Sequence, residues 1–351
     1  MYIRYTDILE TFITSAVVSF LLTPVVRGLA EKNGYLDHPR DNKRHARSTP
    51  LLGGVAIFLA FIIGVLSQWD SIVFAKNFQI QALLAGCVIL FVIGLIDDRV
   101  GMDPNTKLFG QFLAAMVAYK SGLKITFLGN YYVNLIVSYL WFIGITNAFN
   151  LLDNMNGLSS GVAAICAFFF GIIGWMNGQY IVSIISFCLV GSCIGFLRYN
   201  FPRASIFMGD SGSIVLGFVL SGIEIMGHWR TFELLTSVAV PLLVLAYPIF
   251  DTTLVTVVRL MEKRSVFSGG KDHSSHRLAL LGLKSKRAVL IAYLICISTG
   301  LAALIVSRVS FTCGLYIIGA VVTALFILGV RLASVNTGRF GRKKGMSPGE
   351  D

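Results

Sequence analysis

The chain has 351 residues, of which 55% are hydrophobic and only 13% are Asp, Glu, Lys or Arg, and its mean hydropathy is +0.76. Charged residues make up about 25% of a soluble globular protein, so this composition excludes a water-soluble enzyme. The formal net charge of +11 does not indicate a nucleic acid partner, because membrane proteins retain Lys and Arg in their cytoplasmic loops.

Apolar runs of about 20 residues, the length that a helix needs to cross a bilayer, alternate with short polar stretches along the chain. They predict an all-α polytopic integral membrane protein with about eleven transmembrane helices. The predicted spans are 8–30, 51–68, 80–96, 108–120, 132–150, 158–176, 180–197, 212–227, 234–259, 288–307 and 311–331. The fourth is the weakest, because Lys107, Gln111 and Lys120 lie on it.

The distribution of basic residues predicts the orientation of these spans. Most of the 29 Lys and Arg residues fall in one alternating set of loops, which the positive-inside rule places in the cytoplasm. The N-terminus is then outside and the C-terminus cytoplasmic. Residues 1–333 are predicted to form one transmembrane catalytic domain, and 334–351 a basic, disordered cytoplasmic tail. The six Cys residues lie in apolar runs and are interpreted as small buried hydrophobic residues.

Acidic residues collect at one predicted membrane face. An ionised carboxylate at a membrane end is costly unless it is paired, hydrated or bound to a metal, so such residues indicate a functional site. By the predicted topology, six of them approach the cytoplasmic face: Asp97, Asp98, Asp103, Asp153, Asp210 and Asp251.

Two polar groups follow predicted helix ends at this face. Asp97 and Asp98 are adjacent carboxylates that repel one another unless a cation offsets them, although two residues that end a helix at the interface would look the same. Asn147, Asn150 and Asp153 recur every third residue and would form one stripe for a hydrated cation, a diphosphate or a sugar amide. A helix that unwinds through Asn and Gly is the structural alternative.

Two further segments carry phosphate-binding chemistry. Asp210 lies in the segment 207–213, whose small residues let backbone N–H groups approach a phosphate, although a simple helix N-cap is the alternative. His273, His276 and Arg277 place two imidazoles and a cation in the longest predicted cytoplasmic loop, where a nucleotide diphosphate can bind. A solvated basic loop is the alternative there.

A basic element precedes the second predicted span. Arg44 and His45 lead into Pro50–Gly54, whose glycines allow this span to approach a neighbouring helix or a ligand closely. Helix packing alone would also explain these glycines.

Together, these segments resemble the polyprenyl-phosphate N-acetylhexosamine-1-phosphate transferase family, glycosyl transferase family 4. That family includes the undecaprenyl-phosphate N-acetylglucosamine-1-phosphate transferases, which this chain resembles most, and the phospho-N-acetylmuramoyl-pentapeptide transferases. Five motifs occur in the family's order between about residues 44 and 280: Arg44-His45 with Pro50–Gly54, Asp97-Asp98-Arg99, Asn147-x-x-Asn150-x-x-Asp153, Phe207–Ser213, and His273 with His276-Arg277-Leu278.

The resemblance implies that N-acetylhexosamine 1-phosphate, favoured here as N-acetylglucosamine 1-phosphate, is transferred from a UDP-sugar to a polyprenyl phosphate, with release of UMP. It implies Mg²⁺ as cofactor, with Mn²⁺ as a substitute, and a homodimer. The resemblance implies that the protein lies in the bacterial inner membrane, with its active site on the cytoplasmic face. It also implies that the reaction is the first membrane step of cell-envelope glycan synthesis. Direct attack of the lipid phosphate on the β-phosphorus and a two-step route through an aspartyl intermediate both fit.

The resemblance also implies roles for individual residues. Asp97 would deprotonate or orient the lipid phosphate. The metal ligands would be Asp210, Asp153 and Asp98, and the catalytic residues would be Asp97, Asp98, Asp153, His273 and His276. The substrate-binding residues would be Arg44, His45, Asn147, Asn150, Asp251 and Arg277.

The chain departs from the family pattern at several positions of these motifs. Asn154 stands where the family usually has Gly, Asn156 lies near a usual acid, and Ser275 replaces a middle His. The pentapeptide-transferase branch carries a denser His cluster, so the resemblance favours UDP-N-acetylglucosamine or a related small N-acetylhexosamine as donor.

An ion-coupled secondary transporter of an anionic or nucleotide-sugar solute is the alternative function. Such carriers combine polytopic helices with buried acidic residues. They bind near the bilayer midplane, however, whereas the acidic residues of this chain are predicted to lie at one face.

Overall fold

The computed structural model describes residues 5–37, 48–69, 77–229, 234–266, 270 and 272–335. These residues form helices α1 (Tyr5–Lys32), α2 (Gly53–Leu66), α3 (Phe78–Val100), α4 (Pro104–Lys120), α5 (Tyr131–Leu152), α6 (Leu158–Met176), α7 (Tyr180–Asn200), α8 (Asp210–Met226), α9 (Leu234–Val244), α10 (Ala246–Met261), α11 (Ser274–Leu280), α12 (Ser285–Val306) and α13 (Phe311–Ala333). Two short antiparallel strands, β1 (Leu36–Asp37) and β2 (Thr49–Pro50), lie between α1 and α2.

The predicted all-helical membrane class is confirmed. Seven described helices are long and apolar enough to cross a membrane, or eight if α9 and α10 form one bent span. The apolar α2 has only 14 residues. The count of eleven spans and the placement of the termini stay predictions, and residues 336–351 of the predicted tail lie outside the described residues.

Side-chain caps fix where several helices begin. The Asn77 side chain accepts hydrogen bonds from Gln79 N and Ile80 N at the start of α3, and Asn130 does the same for α5. Asp103 caps α4, and Pro104 follows in its first turn. The backbone N–H that proline lacks would have no partner within the helix at that position, so its absence costs no hydrogen bond. Short polar segments between apolar runs therefore end one helix and start the next.

The ninth predicted span, 234–259, is two helices and not one. α9 and α10 are bent by 77° at the break between them. Pro248 has no N–H for the carbonyl of Val244, and its ring clashes with a helical carbonyl at that position, so a straight helix cannot continue. The Val244 carbonyl instead accepts a hydrogen bond from the Cys166 thiol, at 3.2 Å.

Helix α8 is the centre of the bundle. Each residue from Ser211 to Ile223 is buried, and the helix packs against α2, α3, α5, α6 and α7. Gly94 of α3 makes one close approach possible, because a Cβ there would lie 2.5 Å from Ser211 Cα. By contrast, only Gly314 and Leu332 of α13 are buried, and the helix exposes Cys313, so the prediction that every Cys is buried is wrong at that position.

Candidate active site

The site begins where α3 and α8 meet. The carboxylate of Asp98, near the end of α3, accepts hydrogen bonds from the backbone N–H groups of Asp210, at 2.7 Å, and Ser211, at 3.1 Å. Asp98 therefore caps α8 from another helix and positions Asp210. Gly209 makes this contact possible, because it has φ +77° and a Cβ there would lie 2.6 Å from Asp98 Oδ2.

Gly209→Ala is expected to displace the Asp98 carboxylate from the start of α8. The backbone at Gly209, with φ +77° and ψ 177°, is one that only Gly adopts readily, so Ala there costs about 1 to 3 kcal/mol, and the lost cap costs about 1 to 2 kcal/mol more. Thermal unfolding in detergent measures the change. Gly178→Ala is the control, because Gly178 also has a positive φ, +71°, but open space around a Cβ. Equal melting temperatures for the two variants would contradict the role of the Asp98 contact.

Lys107 joins two of the predicted acidic residues. Its ammonium lies 2.8 Å from Asp97 Oδ2 and forms a second ion pair with Asp210 Oδ2. Asp97 Oδ1 also accepts the Met102 N–H at 2.6 Å. The sequence interpretation did not include Lys107 in the site, although a lysine on the weakest predicted span was a signal for it.

The amide stripe on α5 points toward the same place. Asn150 Nδ2 donates to Asp210 Oδ1 at 2.9 Å and to Ser213 Oγ at 3.0 Å. Asn147 exchanges hydrogen bonds with Gln111 of α4, the shorter of them 2.6 Å. Asn150 thus contacts Asp210, while Asn147 joins α5 to α4, and the predicted substrate contacts of both stay predictions.

Asp153, just after α5, lies close enough to Asp210 and Asp98 for their negative charges to affect its pKa. Desolvation raises the pKa of Asp153 to about 8, and the nearby Asp210 and Asp98 carboxylates add to the shift. A carboxyl group with this pKa is protonated at neutral pH unless a cation lies beside it.

The donor atoms of this carboxylate cluster, Asp97, Asp98, Asp153 and Asp210, fit a hard divalent cation. Mg²⁺ prefers carboxylate and amide oxygens, and even with Asp153 protonated the other three carboxyl groups face one ammonium. Among the described residues, no three His, Cys, Asp or Glu side chains already converge as a metal-binding group. Both Asp98 oxygens accept backbone N–H groups that are fixed by α8, whereas the partners of the Asp210 oxygens are side chains, Lys107 and Asn150, which can rotate away. Asp210 and Asp153 are therefore the better ligand candidates.

A second half of the site forms around α11. Asp251 Oδ2 lies 2.8 Å from His273 Nδ1, and its Oδ1 accepts the Ser274 N–H at 2.7 Å. The rings of His273 and His276 have centroids 6.2 Å apart, and both residues are at least 95% buried. The alternative of a solvated basic loop is therefore wrong for these residues, because His273, at the start of α11, and His276, on it, are buried, and Asp251 fixes His273.

The two halves meet at two positions that depart from the family pattern. Ser275 Oγ donates to Asn154 Oδ1 at 2.8 Å, and Asn154 Nδ2 in turn donates to the Leu151 carbonyl. Asn154 follows Asp153, and Ser275 lies between the histidines. No spacing in the sequence indicates this contact, because 121 residues separate its members.

Arg277 lies in the interior, and most of its hydrogen bonds go to backbone carbonyls. It is 1% exposed, its Nε donates to the Asp272 carbonyl, and another guanidinium nitrogen donates to the carbonyls of Leu332 and Val335 at 2.9 Å each. These contacts anchor α11 to the end of α13. The predicted diphosphate contact of Arg277 stays a prediction.

Arg277→Lys is expected to destabilise the folded protein by about 2 to 4 kcal/mol, because an ammonium cannot reproduce bonds made in two directions by a buried guanidinium. The free energy of unfolding in detergent measures this, with the half-exposed Arg264→Lys as control. A rise of tenfold in the donor KM without loss of stability would favour a diphosphate contact instead.

The chain before α11 is held by a buried ion pair. Arg259 of α10 donates two hydrogen bonds of 2.8 Å to the Asp272 carboxylate, and Arg264 adds a third. Burial alone would raise the pKa of Asp272, but the bonds and the charge of Arg259 outweigh it and lower the pKa. Asp272 is therefore ionised and fixes the approach to the histidines.

The glycine motif before α2 supports the segment that carries Asp210. Gly53 N donates to the Phe207 carbonyl at 2.9 Å, Gly54 N donates to Met208 at 2.8 Å, and Phe207 N donates to Pro50. The predicted residues Arg44 and His45 lie outside the described residues. The strands on either side of them, β1 and β2, pair with one another close to this motif.

Comparison with known proteins gives consistent matches. The family model described as glycosyl transferase family 4 matches residues 80–228. A probable undecaprenyl-phosphate N-acetylglucosaminyl 1-phosphate transferase of Bacillus subtilis is 31% identical over 342 residues, which cover 95% of this chain and 94% of that protein. A decaprenyl-phosphate N-acetylglucosaminephosphotransferase of Mycobacterium tuberculosis is 34% identical over 80% of this chain and 78% of its own length. An undecaprenyl-phosphate alpha-N-acetylglucosaminyl 1-phosphate transferase of Thermotoga maritima is 30% identical over 74% of this chain and 78% of its own.

Proposed function

Because this chain belongs to glycosyl transferase family 4, we propose that it transfers N-acetylglucosamine 1-phosphate from UDP-N-acetylglucosamine to a polyprenyl phosphate of the bacterial inner membrane, with release of UMP. The reaction would be the first membrane step of a cell-envelope glycan. The three relatives reported above are named for transfer of this sugar phosphate to a polyprenyl phosphate.

The observation that carries the proposal is the carboxylate cluster with Lys107 at one end of an apolar helix bundle. A polyprenyl phosphate has a membrane-embedded tail and an anionic head, so its phosphorus lies at the membrane surface, where the helices end. A UDP-sugar reaches the same surface from the water. The two reactants repel each other, and cationic groups at this end would offset the repulsion.

In this proposal the first half of the site handles the acceptor. Lys107 would attract the lipid phosphate, and Asp97 beside it would deprotonate or orient that phosphate. An oxygen of the lipid phosphate attacks the β-phosphorus of the donor, and the bond between the two donor phosphates breaks. UMP leaves with the α-phosphate, and the new diphosphate keeps the sugar.

The second half would hold the donor. Asp251 binds Nδ1 of His273, so Nε2 is the ring nitrogen that would contact the donor diphosphate. His276 stands one helical turn further and would share that role. A carboxylate partner of this kind orients an imidazole and fixes its tautomer.

Mg²⁺ would bind to Asp210 and Asp153, where it would neutralise phosphate charge and make the leaving UMP more stable. Asn150 donates a hydrogen bond to the Asp210 carboxylate and would keep it oriented toward the Mg²⁺ ion. Asp98 would keep the start of α8, and hence Asp210, in place.

The test is an assay of purified protein with undecaprenyl phosphate, MgCl₂ and a panel of UDP-N-acetylhexosamines, in which UMP and UDP are separated. Release of UMP with UDP-N-acetylglucosamine supports the proposal, whereas UDP would indicate transfer of the sugar alone. No nucleotide release from any donor, in protein with an intact unfolding transition, would overturn it and favour the transporter.

The cytoplasmic position of the site has its own test. A reporter fused after Gly341 should behave as cytoplasmic and one after Lys76 as external, because the Lys and Arg distribution sets this orientation. The reverse pattern would place the site on the outer face. The predicted homodimer is tested by the mass of the active particle in detergent.

A further inference from the structure

The hydrogen bond between Asn154 and Ser275 directly joins the two chain segments that bear catalytic candidates. Asn154 is next to Asp153 in the turn after α5, and Ser275 lies on α11 between His273 and His276. Ser275 is fully buried, and the bond is 2.8 Å long.

Other hydrogen bonds hold α11 to α10 and to the end of α13. Ser274 N and His273 bind Asp251 of α10, and Arg277 binds the end of α13. Helix α10 in turn packs against α5, so these bonds restrain the distance of α11 from the carboxylate cluster indirectly, whereas the Asn154–Ser275 bond joins α11 directly to the turn after α5. Tyr293 of α12 donates a hydrogen bond to the Gly157 carbonyl, in the turn after α5 and three residues beyond Asn154. This bond links α12 to that turn, but it does not involve α11, the helix with the histidines.

We propose that the Asn154–Ser275 hydrogen bond is a positioning contact that sets the separation of the histidines from the carboxylate cluster. The inference rests on the proposed phosphoglycosyl transfer. Phosphoryl transfer depends on the placement of charges around one phosphorus, so a small shift of α11 lowers the rate of the chemical step. Neither residue needs to touch a substrate.

The test is a double-mutant cycle with Ser275→Ala, Asn154→Ala and the double variant. Each single change is expected to lower kcat about tenfold and to leave the KM for UDP-N-acetylglucosamine within about twofold. The double variant should be no slower than the slower single variant, because both changes remove the same contact. Ser183→Ala, which removes a buried serine bond between α6 and α7, is the control and should keep the kcat of the unmodified protein.

Hydrogen exchange gives a readout that does not need activity. Amides of α11 should exchange faster in Ser275→Ala than in the unmodified protein, while those of α6 should not. The inference would be overturned if the fall in kcat of the double variant were the product of the falls in the two single variants. It would also be overturned if both single variants kept the kcat of the unmodified protein. If the unmodified protein makes no product, the proposed function fails, and unchanged exchange in α11 would separately remove the positioning contact.

Discussion

Asp210→Asn is expected to lower the rate of UMP release by roughly a thousandfold, the size of effect seen when one preorganised electrostatic group is removed. The Asp210 carboxylate forms an ion pair with Lys107 and accepts a hydrogen bond from Asn150, and Asp210 lies at the start of α8. The amide keeps the shape of the side chain but removes its charge, so both cation binding and the Lys107 ion pair are lost. The rate with saturating donor and MgCl₂ is the measurement.

Glu31→Gln is the control for this change. Glu31 is an exposed carboxylate on α1 that pairs with Arg27, so its loss is expected to change activity by less than about twofold. An Asp210→Asn protein that retains more than a tenth of the activity would show that the carboxylate is not central to the reaction.

Lys107→Met is expected to lower activity by about a hundredfold or more. The thioether side chain fills similar space, but the carboxylates of Asp97 and Asp210 lose the cation between them. They would then repel each other and the lipid phosphate, so the KM for the acceptor should rise as well as kcat fall. Lys107→Arg keeps the charge and should retain more activity than Lys107→Met.

Lys120→Met is a matched control, since Lys120 lies on the same helix at its opposite, exposed end. It should leave both kinetic constants nearly unchanged. Similar losses for Lys107→Met and Lys120→Met would mean that the substitution acts on α4 as a whole and not on the site.

The sequence predicts the fold class and names all four residues of the carboxylate cluster, because helix spans and helix ends depend on local patterns. Apolar runs indicate the helices, and the three-residue spacing predicts that Asn150 and Asp153 lie on one side of α5. The roles of Asp98 and Arg277 were not predictable in the same way. Their partners are backbone groups of other helices, and no sequence pattern marks a backbone group.

Lys107 is recognisable in the sequence by its place on a helix. A lysine one helical turn from Gln111 makes that helix less apolar than a typical membrane span, and the same pair indicates a polar face turned toward a site. The bend between α9 and α10 is similar, because Pro248 indicated the break but an apolar run of this length indicated one span.

The most direct test of the central claim is to follow the donor phosphate nearest the sugar. Purified protein is incubated with undecaprenyl phosphate, MgCl₂ and UDP-N-acetylglucosamine labelled at the β-phosphorus, and the label is located after phase separation. The proposed reaction places the label in the lipid phase with N-acetylglucosamine and leaves the released UMP unlabelled. Labelled UDP in the aqueous phase, with unlabelled lipid that carries the sugar, would contradict transfer of the sugar phosphate.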